Sequence, residues 1–331
     1  MPEIRKDPVF GRWVIIASER GLRPNEFRPG AGSDGKSYVC PFCPGNEALT
    51  PPAIYSLPAD DGSWRLRVVR NKYPALVSEG EQGSTRNGIY DRMDGMGFHE
   101  VVIETPEHGR LLEDLPEEGV ADVLKTFAFR VRELKKDPRI KYVMIFKNHG
   151  RNAGASLLHP HSQIISMPMA PLRAMQEIEG AADYHDERGT CVFCDIVKEE
   201  KAFGRRVVGE NADFLAVAPY ASRFSFETWI LPKAHASHFE ELPDAMAGSL
   251  AGILKASLRK LSVSLPDLSY NLIVHTMPVQ DPSAEHYHWH IEIMPKLSHV
   301  AGFEWGTGFY INTVPPEEAA DILNAGKRYK V

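Results

Sequence analysis

Apolar residues recur at helical spacing in two stretches of the chain. Val120, Val123, Leu124, Phe127, Val131 and Leu134 fall on one face of a helix, and so do Met246, Leu250, Ile253, Leu254, Leu258 and Leu261. A proline stands near the first turn of each, where a missing N–H costs least. A β-rich run precedes each helix and leads to a histidine: 100–105 before His108, and 227–231 before His235. Two further β-rich runs follow each helix, 142–146 and 161–166 in the first case, 271–274 and 288–294 in the second. Consecutive strands on short connections pair antiparallel. The pattern therefore predicts an α+β chain of antiparallel sheets with packed helices, not a doubly wound parallel sheet. The 26 glycines and 25 prolines predict many irregular connections between these elements.

The two patterns read as copies of one unit. Residues 98–108 resemble residues 225–235, 127 positions on, and Glu113–Glu117 recurs at the same offset as Glu240–Asp244. His159-Pro160-His161 recurs as His288-Trp289-His290, 129 positions on. One small loop change accounts for the drift. Two tandem units are expected, with their junction near 180–190, which divides the chain into 1–185 and 186–331.

Composition narrows the class. The 331 residues are 43% hydrophobic and 25% charged, the mix of a folded soluble chain. A net charge of −6 and a pI near 6.1 argue against a general nucleic-acid binder, which needs a basic face, and leave room for a local basic pocket. No apolar run approaches the ~18 residues of a membrane span, and residues 1–7 lack the apolar core of a signal peptide. A cytoplasmic chain with no membrane partner is expected, and its thiols would stay reduced.

In that setting the cysteines are informative. All four lie in two close pairs, Cys40-Pro41-Phe42-Cys43 and Cys191-Val192-Phe193-Cys194. Each pair is followed by a histidine (His108, His235) and then by a His-x-His (His159, His288). Two thiolates and two imidazoles make a tetrahedral zinc set. The recurrence predicts two such sets: Cys40, Cys43, His108 and His159, then Cys191, Cys194, His235 and His288. The competing reading is buried cysteines beside hydrogen-bonded core histidines. A thioredoxin-like role fits less well, because neither pair opens a helix after a βαβ strand.

His161 stands two residues past His159, and on an extended chain it shares that residue's face. A neutral imidazole held by a metal-anchored neighbour is a competent nucleophile at phosphorus. Spacing alone leaves open the reading of His161 as a metal ligand or as a support for one. Gln163 lies on the same face and is placed to donate to a phosphate oxygen. Upstream, the small residues from Gly150 through Gly154 to Ser156 let backbone N–H groups approach an anion. Arg20 and Arg23 supply fixed charges spaced for a diphosphate.

Together these segments resemble the galactose-1-phosphate uridylyltransferase family, the duplicated branch of the histidine-triad superfamily. The similarity runs through Asp7-Pro8, Trp13-Val14, Arg20 and Arg23-Pro24, then Cys40-Pro41-Phe42-Cys43-Pro44-Gly45 and Asn71-Lys72-Tyr73-Pro74. It continues through Phe146-Lys147-Asn148-His149-Gly150, Gly154-Ala155-Ser156 and His159-Pro160-His161-Ser162-Gln163. The resemblance implies two tandem histidine-triad-like repeats and a homodimer. It implies His161 as nucleophile, a covalent nucleotidyl-histidine, and contacts to a nucleotide sugar from Arg20, Arg23, Asn71, Asn148, Gly154, Ser156 and Gln163. UDP-glucose and galactose 1-phosphate are the substrates expected, in galactose metabolism. Zinc, two ions per chain, is the cofactor expected. For the second metal, some members use a set matching Glu177, His275, His288 and His290. Others, with ADP-glucose phosphorylases among them, use a second cysteine pair, and thiolates are the stronger zinc ligands. Ser298 and Tyr310 replace a lysine and a glutamine of familiar uridylyltransferases. The stretch Gly306-Thr307-Gly308-Phe309-Tyr310-Ile311-Asn312 resembles the ADP-glucose phosphorylase side.

Overall fold

A computed structural model describes residues 2–9, 11–19, 39–79, 83–279 and 284–329. Arg20 and Arg23 lie outside the described residues. In chain order the strands of the first part are β1 (Glu3–Lys6), β2 (Trp13–Ile16), β3 (Ala53–Pro58), β4 (Trp64–Arg70), β5 (Ser84–Asn87), β6 (Tyr90–Asp94), β7 (Phe98–Ile103), β8 (Tyr142–His149) and β9 (His161–Met167). Those of the second part are β10 (Val207–Glu210), β11 (Phe214–Val217), β12 (Thr228–Pro232), β13 (Tyr270–His275) and β14 (His290–Pro295). The α-helices are α1 (Glu117–Leu134), α2 (Leu172–Arg188), α3 (Val192–Phe203), α4 (Asp244–Ser264), α5 (Gly302–Thr307) and α6 (Pro316–Ala325).

Every pairing between these strands is antiparallel. A small sheet runs β2-β1-β6-β5, and a ten-stranded sheet runs β10-β11-β12-β14-β13-β8-β9-β7-β4-β3. The large sheet thus contains β8-β9-β7 and β13-β14-β12 in mirrored order, back to back. They meet where β8 runs against β13, with Asn148 opposite Asn271 and His149 opposite Tyr270.

The two amphipathic helices lie where their periodicity places them. Val120, Leu124, Phe127 and Val131 of α1 and Leu250, Leu254, Leu258 and Leu261 of α4 share one buried core with the sheet. Each such side chain contributes about 1.5–3 kcal/mol when fully buried, so these faces anchor the elements. Pro116 and Pro243 sit at the N-caps, followed by acidic first turns (Glu117 and Glu118; Asp244) that suit the positive end of the helix dipole. The small sheet and the continuity of the large one across β8–β13 carry no signature in the sequence pattern. No helix among the described residues is long and apolar enough to cross a membrane.

Candidate active site and metal centres

Cys40 and Cys43 occupy a tight turn closed by Cys43 N–H to Cys40 O, with Asn46 Nδ2 donating to the same carbonyl at 2.8 Å. Their sulfurs meet two histidines distant in the chain, His108 after β7 and His159 before β9. Cys43 Sγ lies 3.4 Å from His108 Nδ1 and 3.5 Å from His159 Nδ1, and Cys40 Sγ lies 3.6 Å from His159 Nδ1. Tetrahedral zinc with bonds of about 2.0–2.3 Å holds its ligand atoms roughly 3.3–3.8 Å apart, so these separations suit the ion. The tautomer suits it as well. His159 Nε2 donates to Thr105 O at 2.8 Å, which leaves Nδ1 with its lone pair toward the sulfurs.

The same construction recurs around α3, whose N-cap is Cys191. Cys194 Sγ lies 3.4 Å from His235 Nδ1 and 3.6 Å from His288 Nδ1, while His288 Nε2 donates to Pro232 O at 2.9 Å. Within each set the four donor atoms lie within 4.8 Å of one another. Burial pushes the Cys40 and Cys194 thiols up to about 12. Without a cation these groups would stay protonated at neutral pH; a bound metal would displace their protons.

Beside the first set, a cavity of about 270 Å³ is lined by Asn71, Asn148, Gly154, Ser156, His161 and Gln163, among others. These six come from two stretches of the chain, Asn71 after β4 and residues 148–163. His161, the first residue of β9, donates Nδ1–H to His159 O at 2.8 Å. Its Nε2 is therefore the basic nitrogen. Burial lowers its pKa to about 4, which keeps the ring neutral. The Phe42 ring stands edge-on to it, centroids 5.3 Å apart.

The amide of Gln163 has a determined sense. Ala75 N–H donates to His99 Nδ1 at 3.0 Å, so the proton of His99 resides on Nε2, and it donates to Gln163 Oε1 at 2.9 Å. The Gln163 NH₂ group is the end left for the cavity. Behind the strand, Lys147 Nζ contacts both oxygens of Glu104 (2.9 and 2.7 Å) and His161 O (3.3 Å). Ser162 Oγ donates to Glu104 at 2.5 Å, and all of these groups are buried. The small-residue loop turns through Gly150 at φ +78° and Gly154 at φ +82°. A Cβ on Gly150 would run into the Ser269 side chain, so both the positive φ and the close approach call for glycine there.

A family model described as galactose-1-phosphate uridyl transferase, N-terminal domain, matches residues 1–171. A second, described as a domain of unknown function (DUF4921), matches residues 121–327. ADP-glucose phosphorylase of Arabidopsis thaliana is 40% identical over 97% of this chain and 92% of its own length. Galactose-1-phosphate uridylyltransferase of Thermotoga maritima is 30% identical over 98% of both. The chain belongs to the galactose-1-phosphate uridylyltransferase family. Among solved structures of that kind, the Arabidopsis thaliana ADP-glucose phosphorylase with bound ADP-glucose is 38% identical with a TM-score of 0.77, covering 98% of this chain and 99% of the other. A uridylyltransferase structure is 31% identical with a TM-score of 0.83, covering 98% of each.

Within this family member, the alternative second-metal set divides. His288 faces the sulfur of Cys194, whereas Glu177, His275 and His290 form a cluster of their own. Glu177 Oε2 lies 2.9 Å from His275 Nδ1, and Glu292 Oε2 lies 3.2 Å from His275 Nε2. Both ring nitrogens thus face carboxylates. Burial opposes charge on this ring, but the two carboxylates outweigh it and raise His275 to about 10. Phe42, His99, Glu104 and Lys147 join the site without having been legible as site residues. In the sequence Phe42 stands out only as an interior residue of the first cysteine pair, and the others reach the site through cross-strand contacts.

Proposed function

We propose that this chain is a nucleotidyltransferase acting through a nucleotidyl-His161 intermediate, with ADP-glucose as donor and inorganic phosphate as acceptor. The observation that carries the reading is the state of His161: neutral, with Nδ1–H spent on His159 O and Nε2 free at a cavity wall. Nε2 attacks the α-phosphorus, the N–P bond forms, and the P–O bond to glucose 1-phosphate breaks. Phosphate then attacks the same phosphorus from the vacated side, releasing ADP and restoring the imidazole. Gln163 Nε2, Asn71, Asn148, the Gly154–Ser156 backbone and the charges of Arg20 and Arg23 position the diphosphate and stabilise its developing charge.

Cys40, Cys43, His108 and His159 would hold one zinc, and Cys191, Cys194, His235 and His288 a second. With four protein ligands each, these ions would brace the fold next to His161 and leave no coordination position for substrate. The same reading takes the chain as two tandem histidine-triad-like units, 1–185 and 186–331, of which only the first is catalytic. It includes a cytoplasmic homodimer. The exposed apolar run Phe303, Trp305, Phe309 and Ile311 is a surface that a second copy would cover.

The full-length likeness to an ADP-glucose phosphorylase, the second cysteine set and Tyr310 in its Gly-Thr-Gly-x-Tyr-Ile-Asn context support the adenylyl donor. The second reading is the expected transfer of UMP from UDP-glucose to galactose 1-phosphate, in galactose metabolism. It is favoured by the closer backbone fit to the uridylyltransferase structure. Steady-state rates with ADP-glucose and UDP-glucose, each paired with phosphate and with galactose 1-phosphate, decide between them. Fastest turnover of ADP-glucose with phosphate is expected. A preference for UDP-glucose with galactose 1-phosphate would establish the second reading.

A further inference from the structure

Asn271 belongs to β13, in the second part of the chain, yet its side chain reaches Asn148, which lines the cavity of the first. It stands directly opposite Asn148 of β8 in the strand register, so the two side chains share one face of the sheet. One Asn271 atom lies 2.9 Å from Ala153 O and 2.8 Å from the Asn148 amide. A backbone carbonyl can only accept, so the Asn271 atom beside Ala153 must be the NH₂ nitrogen. That nitrogen also meets Asn148, and the Asn148 atom facing it must in turn be the acceptor Oδ1. The sense of both amides follows from one carbonyl, with no freedom to flip.

The consequence falls on the cavity, which Asn148 lines. With Oδ1 committed to Asn271, Asn148 is left with its NH₂ group, which has no partner among the described residues. The second hydrogen of Asn271 ties Ala153 O, in the middle of the loop that turns through Gly150 and Gly154. One side chain therefore holds two parts of the anion-facing wall.

We propose that Asn271 is a positioning residue: it fixes the Asn148 amide so that its NH₂ group donates to the donor's phosphate, and it anchors the small-residue loop through Ala153. The proposal rests on the nucleotidyl-transfer reading of this cavity. It gives the second part of the chain a share in a reaction whose nucleophile lies in the first.

A double-mutant cycle on the zinc-loaded, full-length protein tests it, with single-turnover transfer of label from ADP-glucose and UDP-glucose onto the protein as the readout. Asn271→Ala is expected to slow transfer about tenfold or more in the native background and no more than about threefold in Asn148→Ala. Costs that multiply independently would overturn the assignment. Asn271→Asp sharpens the test, because a carboxylate invites the Asn148 NH₂ group away from the cavity and presents Oδ1 to the phosphate. It should be slower than Asn271→Ala, whereas a merely space-filling role makes it the milder change. Zinc content and thermal midpoint are followed for each variant, and Asn271→Ser, which keeps one donor, replaces Asn271→Ala if that variant does not fold. If the unmodified protein takes up no label from either nucleotide sugar, the functional reading fails. The same cycle is then read on affinity for AMP and UMP, with the same coupling required.

Discussion

The strands that begin at His161 and at His290 start alike and end in different chemistry. Each histidine follows a zinc-set histidine by two residues, and each directs Nδ1 at that residue's carbonyl, at 2.8 Å for His161 and 3.3 Å for His290. Both rings are buried, and burial lowers both to about 4. The difference lies in what meets Nε2. His161 lines a cavity with amide groups around it. His290 Nε2 lies 3.6 Å from Glu177 Oε1 of α2, and its ring stacks on His275 with centroids 4.5 Å apart and planes 7° from parallel. The next residues diverge as well: Ser162 and Gln163 in one strand, Ile291 and Glu292 in the other. An amide donor suits a phosphate, while a carboxylate repels it. Strand geometry and tautomer are thus alike in both places; on the proposed reading, access and the sign of the neighbouring charge single out His161 as the nucleophile.

The largest effect should come from removing the selected ring. His161→Gly is expected to lower nucleotide transfer by about 10⁴-fold or more, with zinc content retained, while His290→Ala stays within about tenfold of the native rate. A nucleotide imidazolide supplied to His161→Gly should restore transfer to the acceptor, because the cavity and its donors remain. Loss of zinc along with activity in His161→Gly would instead make His161 a ligand and dissolve the contrast.

Metal removal comes next. Cys40→Ser should lose one zinc per chain, and Cys191→Ser the other, each lowering the thermal midpoint by about 10 °C through several kcal/mol of lost binding energy. A full complement after Cys191→Ser would return the second ion to Glu177, His275, His288 and His290. Gln163→Glu copies the second strand's carboxylate into the first and is expected to slow transfer about a hundredfold, read in single-turnover labelling.

Smaller effects test the brace behind β9. Lys147→Met leaves Glu104 buried without its counter-charge and should destabilise the fold by about 3–5 kcal/mol in urea titrations. Ser162→Ala keeps the ion pair and should cost less, about 1.5–3 kcal/mol. Equal effects from the two would show that the pair does not hold the strand.

The sequence made the elements legible where one face is buried. The α1 and α4 stripes follow from their period, and the strands that open at the His-x-His segments follow from their β-rich runs. The two cysteine sets were legible because Cys-x-x-Cys and two histidines recur in the same order. His99, Lys147, Glu104 and Asn271 were not, since each acts across strands from residues far off in the chain, and a single polar residue in a strand carries no mark of its partner. The β8–β13 junction was hidden for the same reason: an interior strand reads alike whichever strand lies beside it.

The central claim is that a nucleotide becomes bonded to His161 and to no other residue. Incubating the zinc-loaded protein with ADP-glucose and, separately, UDP-glucose, quenching at high pH, where an N–P bond survives, and mapping the adduct by peptide mass spectrometry tests it directly. One nucleotide monophosphate per chain is expected on the peptide containing His161, lost on addition of acceptor. An adduct on His290, or none from either donor with zinc content intact, would contradict it.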